Sequence, residues 1–282
     1  MEAQWENVVM SSLMLYIDNK ITSNGGYVNH SGKFYKTQAQ YNQLYSYSLP
    51  YKQIISDASI SGASVMQGVN VTPPNGSSAF RTVGEDGLTG ILHHKGTVLF
   101  NSDKDSSLIE GTFAVKEYNI YITTKPEEDL LFKTAKQIKP KIAQTEDGLD
   151  PNTEAYPAIF LKNMGGTTKP LGFGRVFDTI SYVRAIILAS SAFSLDAVCG
   201  LLKKSNQTDV PLITSLPFNA IGAFTGNSFD YASSSAQASL SAMIWDVSIS
   251  KIMPQSSAMG ELNLDVFAAF VDFEVRSMGS EL

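Results

Sequence analysis

Apolar residues near the start of the chain recur at spacings of three and four. Trp5, Val8, Val9, Leu13, Tyr16 and Ile17 share one face over residues 5–20, which predicts an amphipathic helix of about four turns, and Asn24-Gly25-Gly26 supplies its stop. That period then disappears. Residues 24–53 carry Tyr27, Tyr35, Tyr41, Tyr45, Tyr47 and Tyr51 among Ser, Gln and Asn, with few aliphatic side chains. This stretch is too polar for a core element and too aromatic for plain disorder, so it reads as an extended aromatic arm that gains order against another surface.

From about 54 to 113 the spacing falls to two, the mark of strands, and the stretch reads as a β-rich insertion. Ile54 to Val71 alternates up to the breaker Thr72-Pro73-Pro74-Asn75-Gly76. Phe80–Val83 and Leu88–Leu92 flank Gly84-Glu85-Asp86-Gly87 as a hairpin, and Thr97–Phe100 and Thr112–Thr123 are further strands. Thr124-Lys125-Pro126-Glu127 has the form of a helix start, followed by Leu130, Leu131, Thr134, Ala135 and Ile138 on one face. Ala158–Lys162 is a short strand before the Gly-rich segment 163–175. Ile180–Ala189 lacks alternation and predicts a buried central strand, and a helix follows with Leu195, Val198, Cys199, Leu201 and Leu202 inward. Leu240–Ile252 and Leu262–Ser277 are long closing strands, the second with Phe267, Ala269, Val271, Phe273 and Val275 on one face. The sum is an α+β fold: a mostly antiparallel sheet, an N-terminal amphipathic helix, and two helices packed on one face of the sheet. All 282 residues form a single structural domain in this reading.

Composition changes the picture in one respect. Charged residues make up 17% of the chain against roughly 25% in typical domains, while serine and tyrosine are plentiful. Neutral polar surface is cheaper to desolvate than charged surface, so such an exterior suits subunit contact; a large β-rich domain also accounts for it. The formal net charge of -6 argues against a protein that wraps nucleic acid by neutralising phosphates. No window is apolar for long enough to cross a membrane, and Met1–Glu6 has no secretory pattern.

Candidate chemistry is sparse. His93 and His94 are adjacent, so on a strand they point to opposite faces and chelate one ion poorly; His30 stands alone. Cys199, the only cysteine, lies on an apolar helix face and reads as a core residue. No Gly-x-Ser-x-Gly elbow occurs, and neither Asn163–Lys169 nor Leu171–Arg175 meets the spacing of a phosphate loop. Lys133, Lys136, Lys139 and Lys141 form a basic strip on one helix, a solvated face or a contact for an acidic partner. No catalytic, cofactor-binding or metal-binding residue is assigned.

The amphipathic helix 5–20, the aromatic arm, the strand-helix stretch Tyr118–Lys139 and the block Ile180–Asn219 together resemble tailed-bacteriophage virion proteins of the neck and tail, of the tail-terminator or head-to-tail joining type. That block contains Tyr182-Val183-Arg184-Ala185-Ile186-Ile187-Leu188, Leu195-Asp196-Ala197-Val198 and Leu216-Pro217-Phe218-Asn219-Ala220. The resemblance implies a non-enzymatic subunit, assembled into virions in the host cytoplasm. It would close with copies of itself, often six, into a ring, contacting neighbouring neck and tail proteins while DNA passes without specific binding. Tyr41, Tyr45, Tyr47 and Tyr51 are then the expected interface aromatics, with the loops 163–175 and 226–239. Two rivals remain open: a carbohydrate- or surface-binding β module of a tail fibre or adhesin, and a hydrolase using Asp178, Arg175 and His94.

Overall fold

The structure, a computed structural model, describes residues 5–37, 43–72, 76–105, 108–133, 154–171, 176–214, 223, 228–252 and 266–280. Helix α1 (Trp5–Ser23) forms where the three-and-four spacing places it, and buries Val8, Val9, Met10, Leu13, Ile17 and Ile21. It ends at Gly25, whose φ of 87° is left-handed and strained for any residue with a Cβ, while the Gly26 amide donates back to the Ile21 carbonyl at 3.0 Å.

Eight short strands follow: β1 (Tyr27–Lys33), β2 (Tyr35–Lys36), β3 (Tyr45–Ser48), β4 (Gly68–Val71), β5 (Ala79–Thr82), β6 (Leu88–Leu92), β7 (Thr97–Phe100) and β8 (Ile109–Lys116). They make two four-stranded antiparallel sheets, ordered β1-β8-β4-β5 and β2-β3-β7-β6. A shared core lies between them, built from Phe34, Tyr47, Val69, Leu88, Val98, Phe100, Ile109 and Phe113.

This arrangement corrects several expectations. In the described part of 24–53 the chain is not an extended arm: β1, β2 and β3 are strands of the same two sheets that take up β4 to β8, so these strands and the insertion form one unit. A polar segment becomes a strand here because its described tyrosines part-bury their rings, and Tyr47, wholly buried, keeps its hydroxyl hydrogen-bonded. Between Ile54 and Val71 only Gly68–Val71 is a strand: Ile54 turns into the core shared with Val69 and Val71, while Ile55 and Ile60 pack with Ala114 in a second cluster. Strands β5 and β6 are not a hairpin; β5 pairs with β4 and β6 with β7, and the turn between them carries the chain from one sheet to the other. The run Thr112–Thr123 breaks at Glu117-Tyr118 and continues in the next sheet.

That sheet has six strands: β9 (Asn119–Ile122), β10 (Ala158–Pro170), β11 (Val176–Ala189), β12 (Thr208–Pro211), β13 (Ser241–Ile252) and β14 (Phe267–Ser280), in the order β12-β13-β14-β11-β10-β9. All pairs are antiparallel except β9 with β10. The closing strands β13 and β14 match the sequence pattern, and β11 is central. Helix α2 (Ala192–Lys203), whose N-terminal amide of Ser194 donates to Ser191 Oγ at 3.1 Å, buries Leu195, Val198, Cys199 and Leu202 with α1 in one core. The sheet side chains in that core are Ile159, Leu161, Val183, Ala185, Ile187, Val271 and Phe273.

The described part of the third expected helix, the turn Asp129–Lys133, lies elsewhere. Leu130 and Leu131 pack with Phe160, Ile186 and Leu188, the alternate residues of β10 and β11, and therefore on the opposite face from α1 and α2. The two later helical segments do not share a face. The unbroken apolar run 185–189 carries side chains for both faces, which is why it does not alternate. A last short helix, α3 (Tyr231–Gln237), is capped by the Asp230 carboxylate.

Candidate assembly surfaces of the six-stranded sheet

The two edges of this sheet are stepped. Residues Thr208, Ile244, Val275, Ser181 and Gly166 lie on one row across it, running from β12 to β10. Nearer the other end, Lys251, Ala269, Ile187, Ile159 and Ile120 lie on a row running from β13 to β9. Each row is five strands wide, but the second is displaced by one strand. On one edge β12 projects and residues 246–252 of β13 are set back; on the other β9 projects and residues 162–170 of β10 are set back. Among the described residues nothing pairs with either recessed stretch.

Backbone chemistry differs along these edges. The outward N–H and C=O of Ile120 in β9 are both taken by the Gln53 side-chain amide, at 2.9 Å each, so that edge is closed at this point. In β10 the Leu171 amide donates across the hairpin to the Val176 carbonyl at 2.8 Å, and alternation then turns Thr168 and Pro170 toward the free edge. In β12 the Leu212 amide donates to the Leu240 carbonyl, which turns Asp209 and Pro211 outward. Both prolines thus place their missing donor on the free side, where it costs no ladder bond and stops pairing from spreading.

The face away from α1 and α2 is partly open toward the β10–β11 hairpin end. A bulge between Ile244 and Asp246 sends Trp245 and Asp246 to the same exposed side, whereas Ile244 and Val247 stay buried. Arg276 lies over the Trp245 ring at 4.8 Å and forms a two-pronged pair with Asp178, at 2.7 and 2.6 Å, which holds the Asp178 carboxyl below its usual range. Arg184 grips Asp272 through Nε at 2.6 Å and Nη2 at 3.0 Å, and reaches Glu127 at 3.0 Å; these bonds raise its pKa. A cleft of about 310 Å³ gathers Asp246, Asp272 and Glu274 around that single guanidinium, with Tyr182 and Met164 exposed at its rim.

The residues expected at an interface are placed as follows. Tyr47 is wholly buried in β3, edge-on to Phe100 at 5.6 Å, and its hydroxyl is bracketed by Asp103 and the Lys104 backbone. Burial pushes its pKa up to about 12. Tyr51 is half-buried and stacks on His30 at 5.0 Å; Tyr45 is half-buried with Lys36 5.5 Å from its ring centre. Tyr41 lies outside the described residues. Tyr47 therefore serves the chain's own packing, Tyr45 and Tyr51 do so in part, and among the described residues the exposed aromatics are Tyr182, Trp245, Phe80 and Phe193. The signal for Trp245 was a bulge, which depends on a neighbouring strand and leaves no mark in one-dimensional periodicity.

The Gly-rich loop 163–175 is, as far as Pro170, the outer half of β10. Tyr231–Gln237 makes the loop 226–239 partly helical. Asp178 is paired with Arg276 in β11, His94 sits on the turn between β6 and β7, and Arg175 lies outside the described residues, as do Lys136, Lys139 and Lys141. His93 is buried with Nε2 2.9 Å from the Met66 carbonyl, and burial lowers its pKa to about 4. Among the described residues no three His, Cys, Asp or Glu side chains converge as a metal site, and no helix is long and apolar enough to cross a membrane. No protein-family model matches the chain, and none of the curated proteins is similar to it in sequence.

Proposed function

We propose that the chain is a non-enzymatic structural subunit of a phage neck or tail, of the tail-terminator or head-to-tail joining type, that closes with copies of itself into a ring around a DNA channel. The observation that carries this reading is the stepped sheet. A neighbour rotated about an axis along the strands presents its recess beyond β9 to the projecting β12, and its projecting β9 to the recess beside β13. Contact of one edge with the other edge of the next copy is heterologous, and a heterologous contact closes into a ring when its rotation divides a full turn without a rise along the axis. Pro170 and Pro211 confine strand pairing to a short stretch, which favours one register over sliding. The cleft with three carboxylates around Arg184 suits a wall past which phosphates slide rather than bind.

Light scattering on the purified chain at micromolar and tenfold lower concentration tests this. The expected native mass is a fixed multiple of 30.6 kDa, about six by analogy with closed rings. Thr168→Pro, which removes an amide from the free edge and none from the ladder with β11, is expected to return the chain to a monomer with its circular dichroism unchanged. A wild-type monomer at both concentrations overturns the self-closing ring.

A further inference from the structure

The sheet β1-β8-β4-β5 has a second feature, unrelated to the assembly edges. The loop running from Ile55 to Gln67 crosses part of its outer face, where Ile55, Ile60 and Ala114 form a small core. Three of the hydrogen bonds that pin that loop run to β1. Tyr27 donates from its hydroxyl to the Ser61 carbonyl at 3.0 Å, Asn29 Nδ2 donates to the Gly62 carbonyl at 2.9 Å, and the Ser64 amide donates to Asn29 Oδ1 at 2.9 Å. Beyond the loop the face is uncovered, and a cleft of about 300 Å³ opens between loop and sheet.

Its lining is uniform in character. Asn70 stands directly opposite Phe80 across β4 and β5, with Gln67 and Ser64 on the loop side and Thr112 on β8. No charged side chain lines it. The Asn70 and Gln67 amides and the Ser64 hydroxyl have no protein partner among the described residues, while Thr112 shares its hydroxyl with Ser31 at 3.1 Å. Phe80 is 55% exposed, so part of its ring is available to a ligand. Gly68 lets the Phe80 ring lie close against β4: a Cβ there would collide with the Arg81 carbonyl oxygen and stand 2.7 Å from that ring. Glu110 stands opposite Asn70 on the same row, beside rather than in the lining, and Lys33, its own partner across β1, lies 4.0 Å away and offsets it.

We infer that this cleft binds a neutral pyranose unit. Amides that both donate and accept match hydroxyl groups that do the same, and the ring offers its apolar face to the carbon–hydrogen side of a sugar. An anion would meet no cation here, and an apolar ligand would strand two amides and a hydroxyl without partners. The volume is at the small end of ligand sites and holds about one or two hexose rings. The unit can come from a polysaccharide chain or from a free sugar.

Affinity electrophoresis of the full chain through gels containing dextran, mannan or laminarin, together with saturation-transfer NMR against methyl glucoside, galactoside and mannoside, tests the inference. Retardation in a neutral polysaccharide gel identifies a chain as ligand; transfer to a methyl glycoside without retardation identifies the free sugar. Either outcome supports the site if Phe80→Ala, and separately Asn70→Ala, weakens the response roughly tenfold at unchanged circular dichroism. Absence of any response, a response that both variants retain, or retardation only by the polyanion heparin overturns it. None of these results depends on the native mass, so the ring and the cleft fail separately.

Discussion

Tyr47 is held on three sides: the Phe100 ring at its edge, the Asp103 carboxylate 2.9 Å from its hydroxyl, and the Lys104 amide donating to it at 2.6 Å. Removing that hydroxyl leaves the part-buried Lys104 amide without its acceptor, while Asp103 keeps Lys36 at 2.6 Å. Tyr47→Phe is therefore expected to lower unfolding free energy by about 1–2 kcal/mol in urea titration without changing native mass. His93 makes a second prediction at this scale. Unfolded, its imidazole takes up a proton near pH 6.5; folded, it does so only near pH 4. The unfolded state thus binds more protons between these values, and stability falls as pH drops from about 6.5 to 4, by about 3 kcal/mol in total. His94, whose pKa burial also lowers to about 4, contributes in the same window, so His93→Gln should reduce that part of the stability–pH slope by about half while leaving the carboxylate-driven loss at lower pH in place.

Among the elements, β11 is the one to which most others refer. Its side chains serve the α1/α2 core on one face and the Leu130–Leu131 turn on the other, and Arg184 joins β14 to that turn by binding Asp272 and Glu127 together. Replacing Arg184 by Met leaves two carboxylates facing each other without their cation. A loss of about 2 kcal/mol and faster proteolysis between Leu131 and Ala158 are expected, with Arg184→Lys restoring only part because an ammonium cannot form the fork. Helix α1 carries an independent test: Leu13 and Ile17 are 0% exposed, so Leu13→Ala is expected to cost about 2–5 kcal/mol, read as a lower urea midpoint.

For the whole molecule, the stepped edges make a geometric prediction that native mass can refuse. If ring contacts run through β10 and β12, then Thr168→Pro lowers native mass while Tyr45→Ala, at a packed position remote from either edge in the strand order, leaves it unchanged. The reverse pattern would return the interface to the tyrosine-rich segment. Net charge adds a condition: at -6 per subunit a ring accumulates repulsion, so its mass at low protein concentration is expected to rise with added salt.

Much of the architecture was legible beforehand. The period of α1, the apolar run of β11 and the alternation of β13 and β14 each record which side of an element faces a core, because burial selects side chains one position at a time. Partners leave no such record. Nothing in Phe80–Val83 and Leu88–Leu92 distinguishes pairing with each other from pairing with β4 and β7, and the turn between them suits both. Tyrosine is equally ambiguous, since one ring fills a core or an interface, and the fold alone decided that Tyr47 is inside. The candidate surfaces were the least legible part. The recesses on β10 and β13 exist only because β9 and β12 are short and lie at opposite ends, and the cleft beside Phe80 exists only because Asn29 ties a loop across β8. Local chemistry determined which elements form; the contacts between distant segments determined which edges and clefts they leave open.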